Sequence, residues 1–520
     1  MTTGAVTPSR SPLTQERESL RQLVHAEWTK FRTVRGWVIA MIVAILAIPA
    51  FVFIASSSGN SCHATGAAGA SACPSPPTGP GGEPVNDAFY FVHQPLTGNG
   101  TITAAVTSLT GQQSVGPNQL APGLQPWSKA GIIIKENTSQ GSAYAAMMVT
   151  GSDGVRMQWD YVNDTPGLAG RVSAAKPRWL RLVRAGGTVT GYDSADGTHW
   201  TLVGTAALPG LTSTVQAGLF AAGTGSENPT VATGVFRHIG LSWPAIQWTG
   251  TNVGGVNGPN SASEPGSLRQ RAGAITVTGY GDISPQLSPL GAWSIQRALD
   301  GTALGLIPLI VAGAMFITAE YRRGLIRVSL TAVPRRGRLL AAKAVVIGAV
   351  SFVTGLIAAT LAVAIGTRTL ASSSQPLWPV PALTLVRMVV GTAALLAVAA
   401  VLALALGTIR RRSAAAVAAA IVMIFVPYLL AIVPDLQPGP VGLTGGGFGL
   451  GVREWLLRIT PAAGFSVQQV VPRFPQVTGV FYTPNWGYYP LAPWAGFAVE
   501  CAWAAAALTL ALYLLRRRDA

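Results

Sequence analysis

The chain alternates between long uncharged apolar runs and short Arg-rich stretches. Gly36–Ala55 (GWVIAMIVAILAIPAFVFIA) carries no charge over 20 residues. At about 1.5 Å per residue it covers the roughly 30 Å of a bilayer's hydrocarbon core. It is longer than the apolar region of a signal peptide and no A-x-A cleavage site fits well, so a retained span is expected, with Pro49 tolerated inside it. Five further runs follow at Thr302–Ala319, Ala344–Thr367, Met388–Gly407, Ser413–Val433 and Leu491–Leu515. The pattern predicts an α-helical membrane protein with six transmembrane helices. Adjacent spans alternate in direction, so both termini face one side.

Between the first and second spans the period changes from helical to two. Val155, Met157, Trp159 and Tyr161 alternate with Arg156, Gln158 and Asp160, directly after the turn Ser152-Asp153-Gly154. That is a half-buried strand. Hairpin signals recur at Ala185-Gly186-Gly187 and Ala195-Asp196-Gly197. Strands are expected at Thr101–Leu109, Ala130–Lys135, Tyr144–Thr150, Trp179–Arg184, Thr188–Asp193, Trp200–Val203, Val215–Phe220 and Val235–Trp243. Many short strands with frequent turns predict two packed antiparallel sheets, a jelly-roll-like all-β sandwich over 86–243. Ser/Gly/Pro-rich flanks frame it: a linker over 56–85, and a return linker over 244–297 with one strand-like piece, Ala274–Tyr280. The remaining divisions are a cytoplasmic N-terminus over 1–35, the first span over 36–55, and spans two to six over 298–520 with an external loop at 434–490.

Composition agrees with this layout. Hydrophobic residues make up 49%, charged residues 11%, and the mean hydropathy is +0.39. A soluble chain carries about 25% charge, so one large soluble domain and disorder are both excluded. The net charge of +16 and pI near 10.4 could suggest nucleic acid. The location of the charge decides otherwise. Arg10, Arg17, Arg21, Lys30, Arg32 and Arg35 precede the first span. Arg322, Arg323, Arg327, Arg335, Arg336, Arg338 and Lys343 lie after the second, followed by Arg410–Arg412 and Arg516–Arg518. These stretches carry nearly all of the net charge on one face, the positive-inside pattern, which puts both termini in the cytoplasm and the near-neutral β region outside. No nucleic-acid partner is needed.

Cys62, Cys73 and Cys501 are too few and wrongly spaced for a zinc site, and no metal or cofactor is expected. Cys62 and Cys73 share the outer linker, where they are either disulfide-bonded or two free thiols. Glu500 lies within the sixth span, where an acid is either a functional group or an interfacial one.

Leu20–Val34 (LRQLVHAEWTKFRTV) has an apolar side of Leu20, Leu23, Val24, Trp28 and Phe31, with Arg21, Glu27, Lys30 and Arg32 on the rest: an interfacial helix beside the membrane. The phrases HAEWTKFRTVRGW (25–37), TAEYRRGLIRVSLTAVPRRGRLLAAKA (318–344) and LRRRDA (515–520) resemble the type-2 class of ATP-binding-cassette transporter permeases. The resemblance covers the chain outside the insertion. It implies an elbow helix at Leu20–Val34 (Glu27, Trp28, Lys30) and a coupling segment at Glu320–Thr331, where Glu320, Tyr321, Arg322, Arg323, Gly324 and Arg327 meet a separate ATPase subunit. Pro334, Arg335, Arg336 and Arg338 would hold the loop at the lipid headgroups or serve topology alone. It further implies a second permease chain, identical or not, and short re-entrant helices near REWLLRI (453–459). No G-x-x-x-x-G-K-[ST] phosphate loop is present, so this chain is not the ATPase.

The runs WSKAGIIIKEN (127–137), PRWLRLVRAGGTVTGYDSADGTHWTLVG (177–204) and VQAGLF (215–220) resemble the concanavalin-A-like lectin/glucanase superfamily. That implies a sandwich with a glycan- or lipid-facing surface, for which Trp159, Tyr161, Trp179, Tyr192 and Trp200 are candidates, most of them equally suited to a core. Closely spaced carboxylates are missing, which argues against hydrolysis. The expectation is an exporter's permease in a bacterial cell membrane with an external lectin-like domain; the rival is a membrane-anchored glycan sensor that transports nothing.

Overall fold

The computed structural model describes residues 19–58, 76–116, 119–224, 230–254, 266–287, 294–322, 324–325, 335–371, 377–432, 450–477, 484 and 487–517. Helix α1, Leu20–Thr33, starts from a reciprocal cap: the Ser19 hydroxyl accepts from the Gln22 backbone N–H, and the Gln22 side chain accepts from the Ser19 N–H. Helix α2 is Arg35–Ser58, and a 3₁₀ turn at Ile295–Leu299 leads into α3, Thr302–Arg322. Next come α4, Arg336–Ala371, α5, Ala382–Arg410, and α6, Ser413–Ala420. A π turn at Ile421–Phe425 joins α6 to α7, Val426–Ile432, just ahead of Pro427, which has no N–H for the helical ladder. Helix α8 is Leu450–Ile459, followed by a 3₁₀ segment, Pro461–Gln468, and α9, Pro493–Arg517. Six of these helical runs are long and apolar enough to cross a membrane.

Small residues let the spans approach closely, as they must where lipid is as apolar as the side chains. A Cβ on Gly313 (α3) would stand 2.4 Å from the carbonyl oxygen of Ala400 (α5), and one on Gly407 (α5) 2.9 Å from that of Ala314. Helix α5 is the hub: Leu395, Leu396, Ala399, Ala400 and Leu402–Ala405 are all buried.

The insertion between α2 and α3 is an antiparallel β-sandwich. Its strands are β1 Val85–Asp87, β2 Phe89–Thr97, β3 Gly100–Gly116, β4 Gln119–Pro122, β5 Lys129–Lys135, β6 Tyr144–Thr150, β7 Val155–Trp159, β8 Asn163–Pro166, β9 Arg178–Ala185, β10 Thr188–Ser194, β11 Thr201–Ala207, β12 Thr214–Ala222, β13 Thr230–Leu241, β14 Thr249–Val253, β15 Ser267–Arg271, β16 Ala274–Tyr280 and β17 Ile283–Pro285. One sheet runs β11-β10-β9-β3-β13-β16-β15, with β4 beside β3; the other runs β14-β2-β12-β5-β6-β7-β8. Between them pack Val92, Ile132, Ile134, Ala145 and Met147 against Leu180, Leu182, Val189, Phe236 and Val277.

The second sheet is also covered on its far face, where Phe89, Phe91, Ile133, Ala146, Met148 and Phe220 lie under the β1–β17 pair. This explains why β5 (KAGIIIK) and β6 (YAAMMVT) are buried at every position rather than alternately. Two fully buried lysines hold the cover down. Lys129 Nζ lies 2.8 Å from Asp282 Oδ1 and donates to the Ile283 carbonyl at 2.9 Å. Lys135 Nζ pairs with Asp87 Oδ2 at 2.8 Å and donates to the Tyr161 hydroxyl and the Ser142 carbonyl. The first and last strands of the insertion are thus fastened to its body by buried charge.

The segment 244–297, expected to be a return linker, instead supplies four strands. β14 extends one sheet beside β2, β15 and β16 extend the other beside β13, and β17 pairs with β1. Its Gly/Asn/Ser-rich composition masks them because β14 (TGTNV) and β15 (SLRQR) are short and polar. Strand β2 (FYFVHQPLT) escapes the alternation test because it is buried on both sides.

The sandwich rests on the bundle. Gln476 Nε2 donates to the Tyr161 carbonyl at 2.9 Å, and Trp378 Nε1 to the Gln286 carbonyl at 3.3 Å. Trp378, Val471, Phe474 and Tyr488 form a small core there, with Val162 and Leu287 of the insertion packed against it.

Candidate functional site

At the end of the bundle away from the sandwich, three helices meet over four charged side chains. Helix α1 buries Leu23, Glu27 and Phe31, spaced four apart on one face. Glu27 therefore sits in the apolar stripe rather than on the polar side. Lys343, about two turns into α4, donates to Glu27 Oε2 and Glu320 Oε1, each at 2.7 Å. Lys30 donates to Glu27 Oε1 at 2.8 Å and to Glu320 Oε1 at 3.3 Å. Two acids and two bases cancel. Lys343 is fully buried and Glu27 and Glu320 nearly so, while the Lys30 side chain is 46% exposed. Burial alone would lower the Lys30 ammonium, but the carboxylates of Glu27 and Glu320 outweigh it and hold it above its ordinary range.

Aromatic rings floor the quartet. Lys343 Nζ is 4.7 Å from the centroid of Phe316, and Phe31 and Trp37 meet Phe316 edge-on at 5.8 and 5.0 Å. The cluster joins α1 to the last turn of α3 and the first turns of α4, the two stems of the segment 323–334. Other ends of the bundle are tied to the same stems. The guanidinium of Arg411, in the turn after α5, lies 5.3 Å over the Tyr321 ring, and Arg336 donates to the Leu515 carbonyl of α9. These contacts tie α1, α3, α4, α9 and the turn after α5 together at this end of the bundle.

Of the residues expected at this end, Glu320, Glu27 and Lys30 are brought together. Tyr321 stacks with Arg411, Arg322 and Arg335 are exposed, Arg336 and Arg338 are half-buried, and Trp28 is 43% exposed. Gly324 has φ +67°, the left-handed region that suits glycine, so the chain turns sharply just past α3. Arg323, Arg327 and Pro334 lie outside the described residues, as do Cys62 and Cys73. Sequence reading missed Lys343 as more than a topological charge. The signal was there: an acid and a base bounding two apolar spans, and an acid at the Leu23/Phe31 spacing.

The five aromatics named as candidates for a glycan face, or for the core, lie on different surfaces. Trp159 packs on the inter-sheet core. Tyr161 is buried on the far side of its sheet, with its hydroxyl donating to Asp87 Oδ2 at 2.6 Å. Leu180 and Leu182 point into the core, so Trp179 and Tyr192, level with Ser194 and Arg181 in the β9–β10 register, lie on the outer face of the other sheet. There Trp179 stacks on His238 at 5.2 Å, and the Arg181 guanidinium covers Trp200 at 3.7 Å. Strand alternation cannot tell which of three surfaces an aromatic reaches.

At the sandwich end, α8 and the 3₁₀ segment occupy the region expected to hold re-entrant helices. Gln468 Nε2 donates to Thr302 Oγ1 at 2.9 Å and Thr392 Oγ1 at 3.2 Å, and the Ser466 hydroxyl donates to the Pro493 carbonyl at 3.1 Å. Glu500 of α9 is fully enclosed beside this segment. Among the described residues, no group of three His, Cys, Asp or Glu side chains could hold a metal ion.

A family model described as ABC-2 family transporter protein matches residues 22–520. The chain matches no curated protein. Among solved structures, a functionally unknown protein from Saccharomyces cerevisiae is 17% identical, over 30% of this chain and 76% of that one, with a TM-score of 0.22. Scytalido-glutamic peptidase with a transition-state analogue inhibitor is 7% identical, over 37% of this chain and 98% of that one, with a TM-score of 0.24.

Proposed function

The chain belongs to the ABC-2 transporter family, as a membrane permease subunit of an ATP-binding-cassette transporter, and on that premise we propose that it is an exporter's permease, driven at the segment 323–334 by a separate ATPase subunit. The observation that carries this reading is the buried quartet. It makes α1, α3 and α4 one body at the foot of that segment, so a push by a partner is delivered to spans rather than absorbed by a loose loop. The charge distribution supports a cytoplasmic position for this end: Arg322, Arg335, Arg336, Arg338, Arg410–Arg412, Arg516 and Arg517 all crowd it. The sandwich is then external. Its contacts to Val471, Phe474, Gln476 and Trp378 support a role as a cap on the exit side, controlling release, more than one as a tethered lectin. A second permease chain completes the pathway.

The test is capture and coupling. A photo-crosslinker at position 322 of the full-length chain should trap an ATPase, and R322E should lose both the adduct and ATPase stimulation. A chain that retains all cellular function with R322E, yet loses it when 86–243 is removed, is instead a sensor.

A further inference from the structure

Helix α9 carries one acid in its spanning stretch, and among the described residues that acid has no partner. Glu500 is 1% exposed, and both carboxylate oxygens are buried without a hydrogen bond. Its carboxyl lies flat against the 3₁₀ segment: a Cβ on Gly464 would stand 2.1 Å from Oε2 and 2.8 Å from Cδ. One turn earlier, a Cβ on Gly496 would meet Ser466 Oγ at 2.0 Å and the Ala463 carbonyl oxygen at 2.3 Å. Glycines on both elements thus bring them into backbone contact around the carboxyl.

Among the described residues, nothing nearby compensates a negative charge. The 3₁₀ segment (PAAGFSVQ) contains no charged residue, and on α9 the only titratable neighbour is Cys501. From α8, the exposed Glu454 and the half-buried Arg458 pair with each other at 3.0 Å. From α5, Arg387 is engaged by the Gln469 carbonyl. An ionised carboxylate enclosed in this way costs far more than a neutral one.

We propose that Glu500 is a proton-binding site: it is the neutral acid while the segment Pro461–Gln468 is seated on α9, and it loses its proton to water when that segment moves away. The O–H bond breaks to leave a carboxylate and a hydronium, and reseating reverses the step. Because the same stretch of chain continues through Val471 and Gln476 to Tyr161, unseating it also disturbs the contact with the sandwich. The inference rests on α9 lying in the bilayer and not on export or on a partner ATPase.

The probe is dicyclohexylcarbodiimide, which adds across a protonated carboxyl in apolar surroundings, used on the full-length chain in lipid nanodiscs with peptide mass readout. Glu500 should be modified equally at pH 6 and pH 8, and a water-soluble carbodiimide should leave it untouched. In G496V, which wedges the segment off α9, modification should fall about a hundredfold between those pH values, the tenfold-per-unit loss of a hydrated carboxylate. An unmodified wild-type Glu500 across this range, or a G496V profile as flat as wild type, overturns the proposal. E500Q covers the case in which G496V does not fold. As an isostere of the neutral acid it should unfold within 2 °C of wild type at pH 6; a loss above 5 °C means a charged carboxylate with a partner, and sinks the idea.

Discussion

Replacing Lys343 with Met tests the quartet directly. The side chain is fully buried, with two carboxylate oxygens at 2.7 Å and a ring at 4.7 Å. Met fills a similar volume, so cavity formation contributes little. What remains is electrostatic: Glu27 and Glu320 keep only the half-exposed Lys30, and one negative charge is left without compensation. Breaking a buried pair by removing one partner costs about 3–5 kcal/mol. Lys30 and the water around it screen part of this, which favours about 3 kcal/mol. If that loss falls on the docking of α1, its opening equilibrium rises about 100-fold, and hydrogen exchange across Leu20–Thr33 should accelerate by that factor in the full-length protein. The double variant E27Q/K343M restores neutrality, so its exchange should return to within about tenfold of wild type. Two results refute the reasoning: α1 exchange in K343M within threefold of wild type, or a double variant no better than the single.

Other perturbations address the sandwich. Q476L removes the donor to the buried Tyr161 carbonyl and should weaken docking by about 1–3 kcal/mol, read as faster exchange at 160–162 and 470–477 with unchanged protection in α5. Burial pushes Asp160 up to about 6 against the Tyr144 N–H and Lys135, and pushes Glu83 up as well. The folded state therefore holds these protons more tightly than the unfolded one, so protection in β6 and β7 should fall as pH rises from about 4 to about 6 and level off above. D160N should lose its share of that slope, and an identical slope in D160N contradicts the assignment. G131A places a Cβ 2.1 Å from the Met147 carbonyl oxygen, and G218A one 2.0 Å from that of Val92. Both obstacles are paired backbone, so either variant should yield a chain whose sandwich is protease-sensitive while its spanning helices persist.

The spans were legible because lipid imposes one simple demand, length without charge, and each expected run falls on one of the six long apolar helical runs. Helix α4 starts at Arg336, ahead of the apolar run that begins at Ala344, because Arg336 and Lys343 have partners that make about two charged turns tolerable. The sandwich was legible where strands alternate, as in β7 and β9, and illegible where both faces are covered or both are polar, as in β2 and β14. The candidate site was legible only by half. Glu320, Glu27 and Lys30 could be named from resemblance, but Lys343 became visible only when folding placed it between two acids, and the distribution of five aromatics over three surfaces depends on register that composition does not encode.

The two ends of the bundle use buried charge in opposite ways. At the Arg-rich end, two acids and two bases are matched within 3.3 Å, and none can leave without exposing the others, which suits a joint that transmits displacement without yielding. At the sandwich end, Glu500 has no counter-charge among the described residues, so none of them holds it electrostatically against Gly464 once it can reach water. A matched network resists hinging because each partner is held by more than one contact. An unmatched acid against a glycine-lined contact adds no such electrostatic hold. On the proposed reading, a displacement applied at the stems of α3 and α4 would meet matched charge there, and unmatched charge where α9 and the 3₁₀ segment meet, on the stretch of chain that carries Gln476 to the sandwich.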